Sequence, residues 1–140
     1  MIFLAGPALR KVDSHTAIHE AALQEARELT NVTENFWKQG DKERALHTAY
    51  ILIEHWQTRT LAHADAEEDG LYQEIAAESE EKKEQIIELT RDHDLMRKIV
   101  SNLKEELIEN GITNRILSQL HALIIVDELH NEDEMDVLPD

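Results

Sequence analysis

Two stretches of the sequence place a glutamate four residues after a histidine: His63 with Glu67, and His130 with Glu134. On a helix, positions four apart differ by roughly 40° around the axis, so each pair sets an imidazole beside a carboxylate. Such nitrogen and oxygen donors suit a borderline metal ion, iron first, with manganese or zinc as alternatives. Each pair follows a segment with histidines of its own, His15 and His19 before the first and His93 before the second. The chain thus reads His…His-x-x-x-Glu twice, a degenerate repeat that puts one half-site on each pair of helices.

The apolar residues indicate which of these groups face inward. In the last third of the chain Ile116, Leu120 and Leu123 continue through Asp127 to His130 and Glu134 at three- and four-residue steps. His93 lies four residues after Leu89 and three before Met96, and Trp56, Thr60, His63 and Glu67 follow the same steps. A buried carboxylate is costly unless it is paired or bound to a cation, so two inward glutamates beside inward histidines call for a metal. The other histidines act as controls. His121 sits about 180° around the helix from His130, and His47 about 160° from His63, so both should face solvent. His55, about 80° from His63, reads as a rim residue rather than a ligand. Asp127 is either a partner that fixes the tautomer of His130 or a capping or surface residue. Asp94, about 100° from His93, should be exposed.

The positions of glycine, proline and capping residues define the elements that carry these side chains. Pro7 suits a first helical turn, Gly40-Asp41 and Gly111…Thr113 read as a helix end followed by an N-cap, and Pro139 closes the last element. Ser79 ahead of Glu80-Glu81 marks one more start. The resulting segments, about 7–38, 41–77, 79–110 and 113–138, are rich in strong helix formers. Gly70 should loosen the second segment or end it early. Nothing alternates with a period of two, so the expectation is an all-α chain, a single domain over 1–140 built as an antiparallel four-helix bundle.

Composition narrows the function classes. With no cysteine among 140 residues, disulfides, thiolate zinc sites, iron–sulfur clusters and a cysteine nucleophile are excluded. A formal net charge of −16 argues against nucleic acid and anionic membrane surfaces as partners. No apolar run approaches the ~20 residues that span a bilayer. The opening Met1-Ile2-Phe3-Leu4-Ala5 lacks a basic flank and stops at Gly6-Pro7, so it is expected to rest on the bundle rather than to act as a signal peptide. A cytoplasmic location is expected.

The sequence resembles the hemerythrin family, in particular bacterial members with an HHE cation-binding domain. The likeness extends over essentially the whole chain. It rests on His63-Ala-Asp-Ala-Glu67-Glu68 with Leu71-Tyr72, on Asp92-His93-Asp94-Leu95-Met96-Arg97, and on His130-Asn-Glu-Asp-Glu134 with Leu138-Pro139. The resemblance implies an up-down bundle holding two non-haem iron ions on five histidines and two bridging carboxylates. By position these are His15, His19, His63, Glu67, His93, His130 and Glu134. Many members carry two histidines four apart on the third helix, where this chain has His93 and Arg97. Here the four-apart pair is His15 and His19 on the first helix; if only one of them binds, a position stays open for water or a small ligand.

O2 or NO as ligand follows from the resemblance, in oxygen carriage, in sensing, or in a response to oxidative or nitrosative stress. A stand-alone binding or sensing protein is expected ahead of a metal-dependent enzyme acting on peroxide or NO. Three other readings fit less well. Ferritin-like sites use Glu-x-x-His, but Thr60, Thr90 and Thr16 stand three residues before His63, His93 and His19. His93-Asp94 also occurs in HD-type phosphohydrolases, yet basic residues to clamp phosphate are sparse nearby. A metal-free acidic interaction bundle would leave the paired histidines and glutamates without a purpose.

Overall fold

The computed structural model describes residues 12–138, with side chains from His15 onward. Pro7, Pro139, the apolar opening segment and the start of the first helix near residue 7 lie outside the described residues. The chain is all-helical, and no strand occurs among the described residues. Helix α1 spans Val12–Lys38, α2 Lys42–His55, α3 Ala62–Asp69, α4 Leu71–Ala76, α5 Glu80–Asn110 and α6 Asn114–Val137. A π-helix, Trp56–Leu61, joins α2 to α3. No helix is long and apolar enough to cross a membrane among the described residues.

The ends of these helices have local causes. Asp41, Ser79 and Thr113 each accept a hydrogen bond from the backbone N–H three residues on, at Arg44, Lys82 and Ile116. Each such cap satisfies a donor the helix leaves unpaired and is worth about 1 kcal/mol. Gly40 (φ 82°) and Gly111 (φ 67°) turn the chain out of α1 and α5 through backbone angles that disfavour a side chain. At Gly70 the second segment breaks, leaving α3 and α4 as separate short helices. That matches the early end read from the sequence.

Helix α1 packs against α2 and α6, and α5 against α4 and α6. Arg27 meets Glu128 at 3.3 Å and Glu34 meets His121 at 3.2 Å, so α1 and α6 run antiparallel. The buried apolar residues form two clusters. The larger gathers Leu23, Leu52, Trp56, Leu61, Met96, Val100, Leu103, Leu120 and Leu123 with their neighbours. The smaller gathers Leu71, Tyr72, Ile75, Ile86, Leu89, Val137 and Leu138. Between them three strands of sequence turn polar at one level: His63 and Glu67 fall between Leu61 and Leu71, His93 between Leu89 and Met96, and Asp127, His130 and Glu134 between Leu123 and Val137. A polar layer thus divides the core.

The π-helix corrects one expectation. Its i→i+5 bonding turns each residue through less than the roughly 100° of an α-helix, which shrinks the offset between His55 and His63. His55 is accordingly not a rim residue. It is buried, with Nε2 2.8 Å from the carbonyl oxygen of Ala22, a satisfied core histidine away from the polar layer. His47 is exposed, and His121 is partly exposed against Glu34, so both face away from the layer as expected.

Candidate metal centre

The seven residues singled out by spacing converge. His15, His19, His63 and Glu67 form one group and Glu67, His93, His130 and Glu134 another; within each, one donor atom per residue lies within 4.8 Å of the rest. Helix α1 supplies His15 and His19, α3 His63 and Glu67, α5 His93, and α6 His130 and Glu134. Both members of the His15–His19 pair are present, their rings stacked with centroids 4.5 Å apart. All seven side chains are buried or nearly so, and Glu67 and Glu134 have almost no exposed surface.

Each carboxylate turns one oxygen to each group. Glu67 Oε2 lies 2.7 Å from His15 Nε2 and 3.7 Å from the Nε2 atoms of His19 and His63, while its Oε1 lies 3.3 Å from His93 Nε2. Glu134 Oε1 contacts His15 Nε2 and stands 3.3 Å from His19 Nε2, while its Oε2 stands 3.2 Å from His130 Nε2. Seven charged or chargeable groups thus meet in a space shielded from water, an arrangement that stands only with compensating charge.

The protonation balance shows where that charge comes from. Burial opposes a proton on His15, but hydrogen bonds to Glu134 and Glu67 outweigh it and push its pKa up to about 10. His130 is pushed up to about 10 as well, burial again being outweighed, here by Asp92 and Glu134. His19 is raised in the same way by the two glutamates. His63 goes the other way: burial, unmatched by a close carboxylate, lowers it to about 4. Against the penalty of burial, the surrounding histidines hold Glu67 well below the usual carboxylate range and Glu134 below it too. Protons on His15 and His130 therefore occupy the place that cations take in a metal site.

These residues fit a metal. The buried Nε2 atoms of His19 and His63 make no hydrogen bond of proper geometry. The Nε2 atoms of His93 and His130 point at one another 3.1 Å apart, so that once the proton on His130 is lost both could serve a common centre. Buried nitrogen without a partner is what a missing cation would satisfy, so the His and Glu groups could each hold a metal ion.

Several contributors stand within the motifs that carry the resemblance, but intrahelical spacing gives them no role. Asp92, rather than Asp127, accepts from His130 Nδ1 at 2.9 Å, reaching across from α5 to α6. Asp127 is neither a surface nor a capping residue: it is buried, and desolvation pushes it up to about 6 against the pull of His19 and His130. Glu68 accepts from His93 Nδ1 at 2.7 Å and is itself held by Arg97 at 2.7 Å. Arg97 also grips Asp65 and the largely exposed Asp94, at 2.7 and 2.8 Å. The Tyr72 hydroxyl donates to Glu134, and its ring stacks on His93 with centroids 5.4 Å apart. Asn131 Oδ1 accepts from His19 Nδ1. Adjacency to a histidine or glutamate was the sole hint for Glu68, Asp92 and Asn131; their contacts depend on the packing of one helix against the next. Compared with protein-family models, with curated proteins and with solved structures, the chain matches none.

Proposed function

We propose that this chain is a hemerythrin-like, up-down four-helix bundle that holds two non-haem metal ions, iron in preference to manganese or zinc, and binds O2 or NO. The observation that carries the reading is the pair of carboxylates, Glu67 and Glu134, each with one oxygen turned to either histidine group. Two ions, one per group, would share both carboxylates and take the remaining donors from His15, His19 and His63 on one side and His93 and His130 on the other. An iron pair supplies reversible redox chemistry and an open position for a diatomic ligand. The protein's part is to position the donors, keep water out of the layer and exchange protons for metal.

A cleft of about 30 Å³, lined by His15, Thr16, His19, Glu20, Asn131, Glu134 and Met135, leads from the surface to one side of the layer. It gives a small molecule such as O2 or NO a route from solvent to His15 and His19.

The test is anaerobic ferrous loading of the full chain, followed by metal analysis and optical spectra before and after air. Two irons per chain and an air-dependent change in near-ultraviolet absorption are expected. Protein that stays metal-free, or Glu67→Ala and His130→Ala variants that bind as much iron as the parent, would defeat the proposal.

A further inference from the structure

We infer that the two halves of the polar layer are unequal: the Glu67–His93–His130–Glu134 half takes its ion first and holds it, while the His15–His19–His63–Glu67 half loads second and exchanges its ion through the cleft. The inference rests on the metal-binding reading above.

Three observations agree on the direction. The first is burial: all four residues of the former half are buried, whereas the His19 and His63 side chains retain 10% and 12% of their surface. The second is what stands behind the rings of His93 and His130 on one side and of His19 and His63 on the other. His93 Nδ1 donates to the Glu68 carboxylate and His130 Nδ1 to that of Asp92, which fixes both rings with Nε2 turned inward and strengthens them as donors. Arg97 in turn pins Glu68. His19 Nδ1 donates only to the neutral amide oxygen of Asn131, and no side chain among the described residues backs His63. The third is access, because the cleft reaches His15, His19 and Glu134 and none of His93, His130 or Asp92. Asp92, Glu68 and Asn131 are thus positioning residues that set the order of loading.

The experiment is a titration of the metal-free full chain with cobalt(II), followed by visible absorption and by competition with a chelator. The expected result is two ions per chain in two resolved steps, the first tighter. Asp92→Asn and Glu68→Gln should each weaken the first step by about 10- to 100-fold and spare the second, and Asn131→Ala should weaken the second alone. Asp92 and Glu68 act on different rings, so either variant suffices if the other misfolds by circular dichroism. Two ions bound in one unresolved step, or Asn131→Ala weakening the first step, would overturn the inequality while leaving the metal reading intact. No cobalt bound at all would overturn both.

Discussion

At the level of single residues, the layer works by exchanging protons for metal. His15 and His130, both pushed up to about 10, are protonated at neutral pH in the metal-free chain. Ligation requires their nitrogen lone pairs, so loading should release at least two protons per chain, with a further share from the raised His19, and weaken as the pH falls. An indicator dye in weak buffer reads this directly, and metal uptake without acidification would contradict the assignment of these two rings. Tyr72 offers a second measurement. Tyr72→Phe removes the donor to Glu134 but keeps the ring against His93, and should cost about 1–3 kcal/mol in urea unfolding. Tyr72→Ala also empties a fully buried volume and should cost about 3–5 kcal/mol. The histidine–glutamate repeat was legible from the sequence because both members of a pair share one helix. Asp92 and Glu68 were not, because the ring each supports belongs to a different helix, and intrahelical spacing says nothing of that.

At the level of elements, the boundaries at Gly40, Ser79, Gly111 and Thr113 could be read because capping is local chemistry. The π-helix could not, since spacing arguments presume one turn angle throughout, and His55 was misplaced for that reason. A π turn accommodates one residue more than an α turn. Deleting the exposed Gln57 should therefore let Trp56–Leu61 close into α-helix with His55 and His63 still on their present faces. We expect that variant to fold and to bind as much metal as the parent; loss of metal would mean the wide turn itself is required. The glycines give a contrast. Gly111→Ala forces a side chain onto φ 67°, ψ −158° and should cost about 1–3 kcal/mol. Gly70→Ala meets only an ordinary 3.5 Å contact with the Ala66 carbonyl oxygen at a negative φ, and should stay within about 1 kcal/mol of the parent. Thermal unfolding of the two variants checks the order.

At the level of the whole molecule, the same titrations shape stability. Between 6.5 and about 10 the folded metal-free chain keeps protons on His15 and His130 that the unfolded chain has released. Their contribution is complete below 6.5 and lost as the pH climbs through about 10. His63, neutral down to about 4, adds stability above 6.5 that fades on acidification; Glu67 and Glu134, held below the usual 4.5, add stability above that value that is lost at lower pH still, and Asp127, raised to about 6, opposes them on the acid side. The urea midpoint of metal-free protein should therefore be lower at pH 9.5 than at pH 6.5, and loading should flatten that difference. A metal-free midpoint unchanged over this range would refute the protonation scheme. The all-helical class was legible from composition and periodicity. That the core comes as two apolar clusters, around Trp56 and around Tyr72, was not, because α5 and α6 contribute to both along one stripe at helical spacing. That division bears on cooperativity. Without a cation the seam between the clusters is the weakest plane in the molecule, so the smaller block around Tyr72, Ile75 and Val137 should open by itself. Its amides in α4 would then exchange hydrogen faster than those of α2, and the gap would close on loading. Metal occupancy would thus set how many independent folding units the chain contains: two without the ions, one with them.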